Sequence, residues 1–155
     1  MTRMFLFAAL VLGVDQATKA WVRSVFVPGD SVPVIADVFH LTYVRNTGAA
    51  FGILQGNVGL LIAASAVMVA AVLLYSRAVA GSQPLVRVGY GLALGGALGN
   101  LVDRVRFGWV TDFFDFRIWP VFNIADAAIF TGVCILLWRM AIASPKPLKG
   151  GEEGA

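Results

Sequence analysis

Four long apolar stretches dominate the chain. They run from Met4 to Val22, from Val58 to Tyr75, from Val88 to Val102 and from Phe122 to about Met140. A helix needs about 20 mostly apolar residues to cross a bilayer. Three of the stretches approach this length, and the third is shorter and rich in glycine. The pattern therefore predicts an integral membrane protein of mainly α class with four transmembrane helices.

The first stretch also has features of a signal peptide, because Arg3 precedes its apolar core. A cleavable signal peptide would end in small residues. That place is occupied by Asp15, Gln16 and Lys19 instead, so we predict a helix that is retained.

Two segments outside the apolar stretches have patterns of their own. Segment 31–46, with the sequence SVPVIADVFHLTYVRN, is rich in β-branched and aromatic residues that partly alternate with polar ones, which predicts a strand or hairpin on the membrane surface. Segment 144–155 is polar and contains Pro and Gly, which predicts a disordered tail after a single membrane domain, 1–143. In the third apolar stretch, Gly91, Gly95 and Gly99 recur every four residues and predict a face for close helix packing.

Composition narrows the class of protein further. Of 155 residues, 59% are hydrophobic and only 14% are charged, whereas soluble domains have about 25% charged residues. The net charge of +3 is spread along the chain without a basic run, so no nucleic-acid partner is expected. The single cysteine, Cys134, excludes an internal disulfide and a cysteine-based metal cluster, and we expect it to be a buried, inert thiol. Lys and Arg are divided equally between the two ends of the predicted helices, so the positive-inside rule does not decide the orientation.

Polar residues interrupt the apolar pattern at the helix ends. Asp15 and Lys19 are four residues apart and can neutralise each other on one helix face. Asn100, Asp103 and Arg104 lie within about one turn, where Arg104 could hold a neighbouring carboxylate or a phospholipid headgroup. Both groups are also compatible with a purely structural network.

Asp112 and Asp126 have no such explanation, because neither has a basic residue at helical spacing. Charged residues at membrane depth are costly and tend to be functional. Two close carboxylates in a low dielectric cannot both ionise and therefore share one proton. Such a pair can hydrolyse an amide without a metal or a nucleophile, since one member activates water while the other polarises the carbonyl. The same residues are compatible with a proton relay in a transporter or with contacts in a non-catalytic scaffold.

Five polar motifs follow one another along the chain. They are Asp15-Gln16-x-x-Lys19, Asn46-Thr47-Gly48-Ala49-Ala50-Phe51, Gly99-Asn100-Leu101-x-Asp103-Arg104, Val110-x-Asp112-Phe113 and Phe122-Asn123-x-Ala125-Asp126. In this order they resemble lipoprotein signal peptidase, the bacterial signal peptidase II family, and the resemblance covers roughly residues 11–130.

The resemblance implies a membrane aspartic endopeptidase that removes the signal peptide from prolipoproteins, cutting just before a cysteine that carries diacylglycerol. It implies a monomer without cofactor or metal in the bacterial inner membrane, surrounded by membrane lipids and inhibited by globomycin-like compounds. Both termini would be cytoplasmic and the active site would be near the periplasmic face. A small periplasmic β-cradle would lie between helices 1 and 2, and the loop at 46–52 would close over the substrate.

The family's catalytic aspartates fall on Asp112 and Asp126. Its substrate-binding or supporting residues fall on Asp15, Lys19, Asn46, Gly48, Asn100, Asp103, Arg104 and Asn123, with Arg104 expected beside Asp103 and Lys19 beside Asp15. Asp115 lies three residues after Asp112 and could compete for its role. Phe113 and Phe114 would then serve as anchors at the membrane interface.

Overall fold

Four helices form the bulk of the computed structural model, which describes residues 1–48, 57–79, 81 and 83–142. They are α1 (Thr2–Val25), α2 (Val58–Val79), α3 (Pro84–Phe107) and α4 (Ile124–Ile142). By length and composition, each could cross a membrane, which confirms the four predicted spans. The predicted tail at 144–155 and the greater part of the loop at 46–52 lie outside the described residues.

Helix α3 is the central helix and contacts α1, α2 and α4. It packs closely against α1 because glycine leaves room for backbone. A Cβ at Gly91 would lie 2.6 Å from the Met4 carbonyl oxygen, and one at Gly95 would lie 2.6 Å from that of Ala8. The predicted glycine face is thus confirmed.

The polar end of α3 extends beyond the predicted Val102 to Phe107. The helix begins with Pro84 in its first turn and ends at Gly108, whose left-handed φ of 80° is readily adopted by glycine. It continues through Asp103 and Arg104 because these side chains have partners inside the bundle, which hydropathy does not detect.

A three-stranded antiparallel sheet lies at the end of the bundle where α1 and α3 finish. Its strands are β1 (Ser31–Ile35), β2 (Phe39–Asn46) and β3 (Val110–Asp115), in the order β1-β2-β3. The β1–β2 pairing confirms the hairpin predicted in segment 31–46. Strand β3 was not predicted, because nearly all of its residues are buried and the alternation of apolar and polar residues is therefore absent.

Two expectations about individual side chains were wrong. Cys134 is exposed, and it lies on a side of α4 that the other described helices leave uncovered. In a membrane helix an apolar neighbourhood does not imply burial in protein, because lipid can take the place of a core. Phe113 is not an interfacial anchor, since it is 3% exposed and packs with Val22 and Tyr43, and Phe114 packs partly against the same cluster.

Candidate active site

The predicted site residues all lie at one end of the bundle. They come from the last turns of α1 and α3, from the start of α4, and from β2, β3 and the residues directly after β2. The structure therefore brings together residues that are far apart in the chain.

Lys19 occupies the buried centre of this end and has no solvent-exposed side chain. Its Nζ lies 2.9 Å from Asp15 Oδ2 and 3.4 Å from Asp103 Oδ2, and it donates a 2.8 Å hydrogen bond to Asn100 Oδ1. The predicted Asp15–Lys19 pair is confirmed. A buried charge needs such compensation, and here two carboxylates surround one ammonium group.

Two further residues complete this network and were not among the predicted site residues. Gln16 donates from Nε2 to Asp15 and to Asp103, each at 3.1 Å. Arg23 Nη1 lies 3.6 Å from Asp103 Oδ1 and donates a 3.0 Å hydrogen bond to Thr111. The sequence contained a signal for Arg23, because residues 15, 19 and 23 are spaced by four and share one helix face.

Arg104 does not pair with Asp103 as expected. Asp103 contacts Lys19 and Arg23 and also accepts a 3.0 Å hydrogen bond from the Thr111 N–H. Arg104 donates instead to the Gly48 carbonyl and to Ser65 Oγ, both at 3.3 Å. Consecutive residues on a helix do not face each other, so the two side chains diverge. Arg104 thus connects the residues after β2 to α2.

The first turn of α4 is held from two directions. Asp15 Oδ1 accepts a 2.9 Å hydrogen bond from the Ala125 N–H. Asn123 Oδ1 accepts from the Asp126 N–H at 2.9 Å, and Asp126 Oδ2 accepts from the Asn123 N–H at 3.3 Å. This reciprocal arrangement is a capping box. The Asp126 carboxylate is therefore held close to the start of the helix.

Asparagine side chains hold both candidate catalytic carboxylates. Asp112 accepts from Asn123 Nδ2 at 2.6 Å and from Asn46 Nδ2 at 2.8 Å. Asp126 accepts from Asn100 Nδ2 at 2.7 Å. Asn123 thus contacts Asp112 through its side chain and Asp126 through its backbone, which places the two acids on either side of one residue.

The electrostatic surroundings of Asp112 favour its protonated form. Burial, followed by the charge of Asp126, raises the pKa of Asp112 to about 7, although hydrogen bonds from Asn46 and Asn123 and the charge of Lys19 oppose the rise. None of the ion pairs formed by the described residues includes Asp112 or Asp126. A carboxyl group with such a pKa can exchange a proton near neutral pH.

Asp115 has different partners. It accepts hydrogen bonds from Thr42 Oγ1 at 2.8 Å and from the N–H and Nη1 of Arg117 at 2.9 and 3.1 Å. Burial by itself would raise the pKa of Asp115, but these hydrogen bonds and the charge of Arg117 outweigh it, so the pKa is lowered. Residues three apart in a strand point to opposite faces, so Asp115 and Asp112 are directed away from each other.

Comparisons with known proteins identify the relatives of this chain. The family model for signal peptidase (SPase) II matches residues 7–142. Lipoprotein signal peptidase of Moorella thermoacetica is 48% identical over 96% of this chain and 95% of its own length, and that of Pelotomaculum thermopropionicum is 47% identical over 94% and 96%. A solved bacterial membrane enzyme with 33% identity superposes with a TM-score of 0.82 over 96% of both chains. The chain therefore belongs to the signal peptidase II family.

Proposed function

We propose that the protein is a membrane aspartic endopeptidase that removes the signal peptide from diacylglyceryl-prolipoproteins, cutting immediately before the lipidated cysteine. Membership of the signal peptidase II family supports the peptidase activity. The observation that carries the aspartic mechanism is the contact of one buried residue, Asn123, with both Asp112 and Asp126.

In the proposed mechanism the two carboxylates share one proton and hold a water molecule beside the scissile amide. The ionised carboxylate takes a proton from the water as the oxygen attacks the carbonyl carbon. The protonated carboxyl group donates to the carbonyl oxygen, and a proton then passes to the leaving nitrogen as the C–N bond breaks. No covalent intermediate with the protein is formed.

The neighbouring residues prepare the pair for this reaction. Asn46, Asn100 and Asn123 donate neutral hydrogen bonds, so they orient the carboxylates without adding a charge that would keep both ionised. Asn100 is oriented in turn by Lys19, because an ammonium group can only donate and therefore faces Oδ1. The Asn100 NH2 group is therefore directed toward Asp126.

Arg104 and Gly48 have a different proposed role. Their contact ties the residues that follow β2 to α2 and α3. We assign Arg104 and Gly48 to substrate binding. Asp15, Lys19 and Asp103 form the buried network that supports the site.

The remaining features are proposed from the family. The enzyme would act as a monomer in the bacterial inner membrane, with its active site near the periplasmic face, its termini in the cytoplasm and sensitivity to globomycin-like inhibitors. The location of every proposed site residue at the end of the bundle opposite the chain's N-terminus is compatible with this orientation.

The deciding experiment is cleavage of a diacylglyceryl prolipoprotein by Asp112→Asn and Asp126→Asn variants reconstituted in lipid. General acid–base groups contribute typically about 10²–10⁴-fold to rate, so each variant should lose at least that much activity while remaining folded in the membrane. Asp37→Asn, in the exposed hairpin turn, is the matched control and should keep full activity. Substantial cleavage by Asp126→Asn would refute the pair. A proton-coupled transporter would instead move substrate across proteoliposomes without a peptide product.

A further inference from the structure

An apolar recess of about 650 Å³ lies beside the candidate catalytic pair. Its wall is made by the segment after β3 and by the first turns of α4, through Phe116, Ile118, Trp119, Phe122, Asp126, Ala127, Phe130 and Thr131. Asp126 is thus both a member of the carboxylate pair and part of the lining. An occupant of the recess can therefore lie next to Asp126.

The chemistry of the lining favours an occupant without hydrogen-bonding groups. Apart from the indole N–H of Trp119, only Asp126 and Thr131 contribute polar side-chain groups to it. A peptide segment at membrane depth must satisfy its N–H and C=O groups, and each unsatisfied group costs several kcal/mol in lipid. An acyl chain has no such groups, so it meets no penalty in the recess.

Size and exposure agree with a hydrocarbon chain. The volume corresponds to roughly twenty groups the size of a water molecule, at about 30 Å³ each, and falls within the range of ligand pockets. The wall residues Ile118, Trp119 and Phe130 are 93%, 59% and 71% exposed, as expected of a recess open toward lipid. A chain could therefore enter it from the bilayer.

The wall formed by the segment after β3 is held by defined contacts. Asp115 accepts two hydrogen bonds from Arg117, whose backbone has a left-handed φ of 65°. Phe116 stacks on Phe122 with ring centroids 6.0 Å apart and also contacts Phe39 at 4.9 Å. Asp115, which has no contact with the carboxylate pair among the described residues, thus positions the wall of the recess.

We propose that this recess holds one acyl chain of the diacylglyceryl group on the substrate cysteine, an inference that rests on the proposed function. The chain would fix the lipidated residue relative to Asp126, while the peptide backbone lies elsewhere. Acyl-chain length then becomes a determinant of cleavage, and residues 115–119 and 127–131 become the residues that set it.

The test is a substitution that narrows the recess at Thr131, about one helical turn from Asp126. Thr131→Phe fills it, and Leu137→Phe, at an exposed position of α4 outside the lining, is the matched control. Each variant is assayed on peptides of one sequence whose cysteine carries either dipalmitoyl or dihexanoyl glycerol. Misplacing a reacting group by about 1 Å can cost up to about 10²-fold, so Thr131→Phe should lower kcat/KM on the dipalmitoyl peptide by at least about tenfold. Its activity on the dihexanoyl peptide should change little, and Leu137→Phe should affect neither.

The outcomes separate the inference from the proposed function. If the wild type cuts neither peptide, the proposed function fails. If Thr131→Phe cuts both peptides as well as wild type does, or loses both equally, the recess does not hold the acyl chain although the peptidase stands. A second dipalmitoyl peptide, with a smaller residue before the lipidated cysteine, tests the other occupant. A loss in Thr131→Phe that depends on this residue and not on chain length would assign the recess to a peptide side chain and overturn the proposal. Asp115→Asn, which loosens the wall without filling the recess, should also shift the chain-length preference.

A direct measurement uses the inactive Asp126→Asn variant and a lipidated peptide with a photoreactive diazirine at the end of one acyl chain. Labelling of Trp119 or Phe130 is expected. Labelling that avoids every residue of the lining would contradict the assignment.

Discussion

Removal of the Asn46 amide should move the pH dependence of catalysis in a predictable direction. Asn46 Nδ2 donates a 2.8 Å hydrogen bond to Asp112 Oδ2, and this bond favours the ionised carboxylate. If catalysis needs one shared proton, kcat/KM of the wild type should fall as pH rises through the pKa of Asp112, about 7. Asn46→Ala removes a contact that stabilises the ionised form, so the pKa rises and the fall should occur at higher pH.

The size of this shift follows from the strength of the hydrogen bond. A hydrogen bond to a charged group contributes about 1.5–3 kcal/mol. One pKa unit corresponds to about 1.36 kcal/mol. Because Asp112 is only 1% exposed, water does not readily replace the lost donor. The fall of kcat/KM with rising pH (the descending limb of the pH profile) should therefore move to higher pH by about one to two units.

The assay measures kcat/KM for a diacylglyceryl peptide as a function of pH, with the enzyme in lipid nanodiscs. Thr42→Val is the matched control. It removes the 2.8 Å hydrogen bond that Thr42 Oγ1 donates to Asp115, a carboxylate of the same strand. The control should leave the descending limb in place. A limb that stays fixed or moves to lower pH in Asn46→Ala would refute the role of Asp112 as the group whose proton is needed.

Two further substitutions test the buried support of the site by thermal unfolding of the solubilised protein. Lys19→Met should lower the free energy of unfolding by about 3–5 kcal/mol, because two buried carboxylates lose their ammonium partner. The substitution also frees the Asn100 amide to turn. An unchanged Tm would contradict this prediction. Gly99→Ala should cost about 1–3 kcal/mol, because its Cβ would lie 2.5 Å from an Asp15 carboxylate oxygen, whereas Gly13→Ala, with open space around it, should be neutral or stabilise by about 0.5–1 kcal/mol. Equal effects of the two alanine substitutions would show that helix propensity, and not the contact, decides the result.

The spans and the hairpin could be predicted from the sequence because their signals are local. Hydropathy over about 20 residues is sufficient to identify a membrane helix, and the hairpin of β1 and β2 forms between neighbouring segments. The acids Asp112 and Asp126 were conspicuous because neither has a basic residue at helical spacing. The order of five motifs then indicated the family.

Partners between distant segments were decided only by the tertiary structure. Asp15 caps the start of α4 from 110 residues away, and Gln16 contacts Asp103 across 87 residues. Strand β3 is buried along nearly its whole length, so its sequence lacks the alternation that identifies a strand. The exposure of Cys134 and the partners of Arg104 could not be inferred either, because both depend on contacts between distant segments.

The sequence by itself thus determined which polar residues would have a free-energy penalty in a membrane, and such residues tend to be functional. Only the folded chain determined how those costs are offset, because hydrogen bonds and ion pairs depend on distances of a few ångströms between atoms from different helices. The contact of Asn123 with both acids, and the apolar recess beside Asp126, arise from that packing.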